Sequence, residues 1–280
     1  MKLANILVEG QCHLAVETPR GLIDATAAGC ALTLDALLHG ADRAPLEALA
    51  ADSTLPTVAE PLFCSVVERT GKLLCVGLNY AEHARRTQMP LPQYPVLFSK
   101  FADALVPSGA AVTLPPWERS YDYEAELVIV IGKTAWGVSE EDAPACIFGY
   151  TCGNDVSCRD AQMRSGQWLI GKTMPGFGPC GPVIVTADAF DPDRPHPVRS
   201  YVNHELRQNG STDDMIFNCA KVVSYASHYV RLEPGDLIFT GTPSGVALEK
   251  KDEPGCWLKP GDLVEIEIGG IGRIVNRFVK

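Results

Sequence analysis

The sequence predicts an α+β fold in which strands dominate, with a small α/β N-terminal domain over residues 1–65 and a β-rich domain over residues 66–280. Three observations carry this. Residues 1–65 are rich in Ala and Leu and hold two short stretches with helical character, near Cys30 to Leu38 and near Pro45 to Ala51, before Pro56 and Pro61 interrupt them. From about Lys72 the texture changes to short apolar runs punctuated by Gly and Pro. A single later stretch has clear helical spacing. At 280 residues the chain is long enough for a large single core or for a main domain with an appendage.

In chain order, the predicted strands of the second region include Leu73-Leu74-Cys75-Val76-Gly77, Leu127-Val128-Ile129-Val130-Ile131, Val183-Ile184-Val185 and Leu237-Ile238-Phe239. Asn209-Gly210-Ser211 reads as an Asn-Gly turn. Ser211-Thr212-Asp213-Asp214 then supplies a capping box for a helix carrying Met215, Ile216, Cys219, Val222, Val223, Ala226 and Val230, which Pro234-Gly235 stops. Lys259-Pro260-Gly261-Asp262 is a turn, and Leu263 to Ile268 alternates as a half-buried strand does. The absence of a fixed-period repeat argues against propellers and solenoids.

Composition removes several function classes. With 24 Lys and Arg against 34 Asp and Glu, the formal charge of -10 disfavours nucleic acid and anionic membranes as partners. The apolar run at the N-terminus meets Glu9 too early for a signal peptide, and no stretch has the length of a membrane span, so a cytoplasmic enzyme is expected. The ten cysteines contain no C-x-x-C pair, so neither a zinc site nor a redox motif is suggested; most read as reduced core residues, with disulfides the alternative that an even count leaves open.

Three apparent motifs fail on context. Gly166 to Thr173 fits the phosphate-loop pattern by letter, but Met174-Pro175-Gly176-Phe177-Gly178-Pro179 cannot open the helix whose N-terminus would cradle a phosphate. Gly269-Gly270-Ile271-Gly272 lies too close to the C-terminus for a dinucleotide fold. Gly241-Thr242-Pro243-Ser244-Gly245 places Pro where a nucleophile elbow needs Ser.

The acidic segment Tyr121-Asp122-Tyr123-Glu124-Ala125-Glu126 runs directly into the apolar run from Leu127. On a strand, Asp122, Glu124 and Glu126 project to one face, neighbours about 7 Å apart. Several carboxylates at the mouth of a buried strand are costly unless a cation neutralises them. Taken alone, the segment also fits a solvated sheet edge. Asp155, in the Gly/Asn turn Gly153-Asn154-Asp155, adds a third carboxylate in reach, and an all-oxygen set suits Mg2+ or Mn2+ better than zinc. His83 and Lys172, judged by their own neighbourhoods, admit either a structural or a functional role.

Together, Gly77-Leu78-Asn79-Tyr80 with His83, Ser99-Lys100-Phe101, Asp122 to Leu127, Gly153 to Ser157 with Arg159, Asp160 and Gln162, Gly171-Lys172, Met215-Ile216-Phe217, Gly235 to Ile238 and Gly241-Thr242-Pro243 resemble the fumarylacetoacetate hydrolase family, in one order from about Lys72 to Asn276. The resemblance implies a mixed β-roll catalytic core, a homodimer, and Mg2+ (or Mn2+ or Ca2+) held by Glu124, Glu126 and Asp155. It further implies His83 as the general base that activates water and Lys172 as the cation facing the substrate or the developing enolate. Arg159, Gln162 and Thr242 are implied to bind substrate oxygens, with Tyr150 lining the pocket.

The implied activity is metal-dependent hydrolysis of a C–C bond in an acylpyruvate or other 2-oxo or 1,3-dicarbonyl acid, the cation acting as a Lewis acid. One position departs from the family pattern. Where many members carry a Glu three residues after the catalytic His, this chain has Arg86, and Glu82 does not face His83 on a helical turn. A partner from elsewhere in the chain, an orienting water, or a chemistry without water activation would each resolve this. The last favours decarboxylation of an oxaloacetate-like acid, or a related lyase or hydratase reaction; an inert binding or assembly protein is the remaining alternative. Residues 84 to 98, with Met89-Pro90-Leu91-Pro92-Gln93-Tyr94-Pro95, are expected to shape specificity as a lid.

Overall fold

A computed structural model describes residues 1–86 and 90–280. Of the expected lid segment, residues 87–89, Met89 among them, lie outside the described residues. The first strands are β1 (Lys2–Val8), β2 (Gln11–Thr18) and β3 (Gly21–Asp24), followed by α1 (Leu34–Leu38) and α2 (Ala44–Ala51), close to the two helical stretches expected. Next come β4 (Leu73–Gly77), α3 (Ala81–Arg86), β5 (Val96–Lys100), β6 (Leu105–Val106), β7 (Ala111–Thr113), β8 (Tyr121–Asp122) and β9 (Ala125–Ile131). Then follow β10 (Ile147–Asn154), β11 (Ser157–Cys158), the single turns α4 (Arg159–Gln162) and α5 (Leu169–Lys172), and β12 (Gly178–Thr186). The chain ends with β13 (Pro197–Val202), β14 (Glu205–Ser211), α6 (Cys219–Ser227), β15 (Leu237–Phe239), β16 (Leu263–Ile268) and β17 (Gly272–Val279).

Strands dominate, as the sequence predicts, and they form mixed sheets. The main sheet runs β3-β2-β1-β12-β10-β9-β15-β4-β5, with β6 joining β12, and the second runs β14-β13-β16-β17-β7. The β15–β4, β6–β12 and β17–β7 pairs are parallel. The first three strands extend the main sheet through the β1–β12 pair. No helix among the described residues is long and apolar enough to cross a membrane.

β9 is buried along its whole length, which explains why it reads as a continuous apolar run rather than an alternation. Leu127, Ile129 and Ile131 join one core with Val198, Ile266 and Ile268, while Val128 and Val130 join another with Leu34, Leu37, Leu38 and Leu46. Each such side chain contributes about 1.5–3 kcal/mol when fully buried. Register then decides where the site falls. Glu126 lies opposite Gly153, Val128 opposite Phe239, and Phe239 opposite Cys75. The start of β9 and the ends of β10, β15 and β4 therefore meet at one edge of the sheet.

Three local expectations are corrected. Asn209-Gly210-Ser211 is not a turn; it closes β14, and the hairpin turn lies at Asn203 and His204, both at positive φ. Gly210 has a packing reason to lack a side chain, since a Cβ there would stand 2.3 Å from Pro243 Cβ. The capping box at Ser211 does not form. Residues Thr212–Asp214 make a 3₁₀ turn, and α6 begins later with Asn218 as its N-cap, its side chain accepting from the Lys221 amide at 2.9 Å. Finally, Cys12 and Cys64 form a disulfide, whereas the remaining eight cysteines are free and buried as expected.

Candidate metal centre and active-site cavity

Two backbone crossings fix the acidic residues at the sheet edge. The Glu124 amide donates to Asn154 Oδ1 at 3.0 Å, and the Asp155 amide donates to the Glu124 carbonyl at 3.0 Å. The strand expected over 122–126 is interrupted between β8 and β9, so the three acidic side chains do not form one row. Asp122 turns away, accepting from the Ala247 and Leu248 amides at 2.7 and 3.0 Å and from Arg159 Nε at 2.9 Å. Glu124, Glu126 and Asp155 come together instead, each offering a carboxylate oxygen within 4.8 Å of the others.

The charges around this triad are buried and unevenly matched. Glu124 pairs through Oε1 with Arg159 and through Oε2 with Lys172, both at 2.6 Å. Burial alone would raise the Glu124 carboxyl, but Arg159 and Lys172 outweigh it and hold it well below the usual range. Lys172 Nζ also bonds Asp155 Oδ2 at 2.8 Å. Burial disfavours the Lys172 ammonium, yet Asp155 and Glu124 keep it firmly protonated.

Among the described residues Glu126 has no paired cation of its own. Its Oε2 accepts from the Gly241 amide at 2.8 Å, at a bend where φ is +98° and an added Cβ would meet Asn79 Cβ at 2.9 Å. Burial, followed by the neighbouring Asp155 and Glu124 charges, pushes the Glu126 carboxyl far above its usual range. Asp155 Oδ1 lies 2.6 Å from Lys100 Nζ but receives no hydrogen bond. The Lys100 protons go to the carbonyls of Val156, Lys172 and Phe177. Four buried carboxylates (Asp122, Glu124, Glu126, Asp155) thus face three buried cations (Lys100, Arg159, Lys172), with one acceptor left unbonded. This donor set fits a hard divalent cation such as Mg2+, Mn2+ or Ca2+.

His83 reaches the same place from α3. The loop before it is pinned by Asn79, whose Nδ2 donates to the carbonyls of Phe217 and Thr240 at 3.0 and 2.7 Å, while its Oδ1 accepts from the Phe217 amide at 2.8 Å. Asp214 Oδ2 accepts from the Glu82 amide at 3.0 Å and holds the start of the helix. His83 Nδ1 meets Glu249 Oε1 at 2.6 Å, and Glu249 Oε2 accepts from the Gly245 amide at 2.9 Å. Both side chains are nearly buried, at 10% and 8% exposure. Glu249 is the functional residue that sequence reasoning missed. It sits 166 positions from His83 in the Lys-flanked turn Ala247–Lys250, with no local signal to separate it from a surface acid. Arg86, in the position where a Glu was sought, bonds Glu82 at 2.8 Å instead.

A cavity of about 460 Å³ brings these groups together, its apolar wall built by Leu78, Phe98, Met163, Trp168 and Leu248. His83, the triad, Lys172, Arg159, Gln162 and Thr242 all line it. Gln162 Oε1 accepts from Arg159 Nη1 at 2.8 Å, leaving its amide nitrogen as a donor. The Thr242 hydroxyl donates to the Ala125 carbonyl at 2.9 Å and accepts from Gln208 Nε2 at 2.7 Å, so it chiefly braces the wall. Tyr150 is not brought to the cavity. Its place on β10 turns the ring onto Phe190, 5.0 Å between centroids, inside the hydrophobic core. The turn that carried the phosphate-loop letters is α5, and its Lys172 faces carboxylates.

Comparison with known proteins agrees with this architecture. The C-terminal domain model of fumarylacetoacetate hydrolase matches residues 72–279. The chain is 43% identical over 223 residues to the bovine (Bos taurus) oxaloacetate tautomerase FAHD2B, mitochondrial, covering 79% of this chain and 70% of that protein. A fumarylacetoacetate hydrolase from psychrophilic Exiguobacterium antarcticum superposes with a TM-score of 0.86 at 33% identity, over 100% of this chain and 99% of that one. Fumarylpyruvate hydrolase from Pseudomonas aeruginosa, solved with Mn2+ and pyruvate, superposes with a TM-score of 0.68 at 35% identity, over 76% of this chain and 92% of that one.

Proposed function

The chain belongs to the fumarylacetoacetate hydrolase family, and from that premise we propose that it is a divalent-cation-dependent hydrolase cleaving a C–C bond in an acylpyruvate or related β-diketo acid. The observation that carries this reading is the His83–Glu249 pair, 2.6 Å apart, in the same cavity as the three convergent carboxylates. Glu249 holds Nδ1 of the ring, and the proposal assigns proton transfer with the reacting centre to Nε2. In the proposed reaction His83 takes a proton from water as it adds to the carbonyl distal to the 2-oxo acid. The C–C bond then breaks, giving a carboxylic acid and the enolate of pyruvate, and the proton is delivered to the enolate carbon. Lys172 places positive charge where oxygen becomes negative, and Gln162 and Arg159 supply donors for the substrate's carboxylate. A bound Mg2+ or Mn2+ would be held by Glu124, Glu126 and Asp155 and would supply Lewis-acid stabilisation of the developing negative charge.

Glu249 removes the reason for preferring a chemistry without a base, which had favoured decarboxylation. A second reading has its own support: the bovine relative is named an oxaloacetate tautomerase, and the same base can shuttle a proton between the carbon and oxygen of an enolisable 2-oxo acid. Product analysis separates them. Protein supplied with Mg2+ or Mn2+ is given acylpyruvates, oxaloacetate and 3-deoxy-2,4-dioxo sugar acids, and products are followed by NMR alongside the enol absorbance. Pyruvate with a second carboxylic acid supports hydrolysis; loss of enol absorbance from oxaloacetate without cleavage supports tautomerisation; absence of cation-dependent turnover refutes both. The division into a small N-terminal domain (1–65) and a catalytic domain (66–280) belongs to the proposal and is supported by a family match beginning at residue 72. So do a cytoplasmic setting, supported by eight free thiols, and a homodimer, the assembly implied by the family resemblance.

A further inference from the structure

Asp122 stands outside the carboxylate triad, yet it is fully buried, a placement costly for a carboxylate unless it is paired and hydrogen-bonded. Its backbone is fixed by the β8–β11 pairing, where it lies opposite Ser157. From there its two oxygens reach in two directions. Toward the turn Ala247–Lys250, Oδ1 accepts from the Ala247 amide at 2.7 Å and Oδ2 from the Leu248 amide at 3.0 Å. These amides open the turn, where N–H groups lack partners within the turn itself, and they immediately precede Glu249, which meets His83 Nδ1 at 2.6 Å. Toward the triad, Oδ2 lies 2.9 Å from Arg159 Nε and 2.8 Å from Nη2, and the same Nη2 bonds Glu124 Oε1 at 2.6 Å. One side chain thus ties the segment that orients the proposed base to a proposed metal ligand.

We propose that Asp122 is a positioning residue that holds the turn carrying Glu249 in register with the carboxylate triad. This deepens the reading above and rests on it, since the role is defined by His83 acting as a base that Glu249 orients. The turn is four residues long and lies outside the sheets, whereas Asp122 sits on a paired strand, so the two amide bonds transfer the position of the strand to Glu249. Arg159 makes the second arm stiff, because its planar guanidinium spans Asp122 and Glu124 in a fixed geometry. Asp122 does not line the cavity and therefore acts through Glu249 and Glu124 rather than on the substrate.

The test is a double-mutant cycle between Asp122→Asn and Glu249→Gln. Asparagine keeps the shape but has one acceptor oxygen where the carboxylate has two, so one arm loses its partner. With whichever acid the product screen shows to be turned over, Asp122→Asn should lower kcat by about tenfold or more in the native background. When Glu249 is already Gln, the further loss should stay below about threefold, because both substitutions act through the same residue. A smaller loss in the single variant overturns the proposal, as does a larger further loss in the double variant, the result two independent structural defects would give. A second readout needs no turnover: the tautomer of neutral His83, followed by nitrogen NMR of isotope-labelled histidine and assigned by the signal missing from His83→Ala. Native protein should hold the proton on Nδ1, facing Glu249, and Asp122→Asn should restore part of the Nε2–H form. An unchanged tautomer in the folded variant overturns the positioning role. Should Asp122→Asn fail to fold, Ala247→Pro carries the same measurements, since it deletes one of the two amides at the first position of a helical turn, where proline is accepted. Native protein that turns over none of the acids overturns the catalytic reading, and the tautomer then decides the positioning role by itself.

Discussion

Replacing Glu249 by Gln changes two hydrogen bonds with one amide. The carboxylate accepts twice, from His83 Nδ1 at 2.6 Å and from the Gly245 amide at 2.9 Å, and both acceptor positions are nearly buried. A glutamine has one acceptor and one donor. If its oxygen faces His83, its NH2 opposes the Gly245 N–H, leaving buried donors unsatisfied at about 1–3 kcal/mol. If its oxygen faces Gly245, its NH2 faces Nδ1 and forces the ring proton onto Nε2, the nitrogen proposed to accept one. Either arrangement also removes the negative charge that stabilises the imidazolium. Losing a positioned base costs about 10²–10⁴ in rate, so kcat should fall into that range. The stability loss should be modest, since about 1 kcal/mol corresponds to roughly 2–4 °C in a chain approaching this size. Steady-state kinetics with whichever acid the product screen shows to be turned over, thermal melts and Mn2+ titration of the same preparation check this together. Mn2+ affinity should hold, because Glu249 is outside the triad. A folded, Mn2+-binding Glu249→Gln protein with kcat within about threefold of native would refute the assignment of His83 as a base oriented by Glu249.

Glu126→Gln should abolish stabilisation by added Mg2+ and alter the pH dependence of the cation-free protein. Burial and the Asp155 and Glu124 charges raise the Glu126 carboxyl, so the folded state retains a proton that the unfolded chain releases; stability therefore falls as pH rises above the ordinary value of 4.5, with a limiting slope of about 1.4 kcal/mol per unit. Melts in chelator across that window should show a shallower decline for Glu126→Gln, and an unchanged slope would contradict the placement of a buried, unpaired carboxyl. For the disulfide, Cys64→Ser should lower stability by up to about 4 kcal/mol, the loop-closure value for a separation of 52 residues. Alkylation of the denatured native chain should label eight thiols before reduction and ten after it; ten before reduction would rule the bond out.

The sequence was most legible where local pattern and long-range packing agree. Leu127 to Ile131 reads as a buried strand because both faces of β9 meet apolar layers, and Glu124, Glu126 and Asp155 stand out because carboxylates rarely border such a run. The errors have equally specific causes. Asn209-Gly210 resembles a turn, but the glycine serves the contact with Pro243 inside a strand. The Ser211 capping box lost to a 3₁₀ turn, because the amides of Ile216 and Phe217 donate to the Asn79 carbonyl and to Asn79 Oδ1, both at 2.8 Å, and so do not continue a helix toward Asn218. Asp122 alternates correctly with Glu124 in sequence, yet the chain leaves the strand at Tyr123 and sends Asp122 to the amides at 247 and 248. Glu249 was unreadable because nothing near it in sequence refers to His83; only the parallel pairing of β4 with β15 brings the segments that follow them together.

That pairing also explains why charge is concentrated here. The strands β9, β10, β15 and β4 deliver their ends to one sheet edge, and each contributes a polar group: Glu124 and Asp155 immediately beyond the last paired residue, the Gly241 amide two residues past Phe239 and, through α3, His83. The apolar interior behind them resists displacement, so the groups are held by the core rather than by one another. This matters because the carboxylates repel, and an isolated loop bearing them would spread apart. Lys100, Arg159 and Lys172 compensate three of the four carboxylates, and the proton that burial and the neighbouring carboxylates keep on Glu126 compensates the fourth. A bound divalent cation would take the place of that proton. A divalent ion would then leave the local balance positive in a chain whose net formal charge is -10. An acidic protein can in this way present an anion-binding cavity, and overall composition predicts which large partners are repelled without predicting the sign of the field at the site.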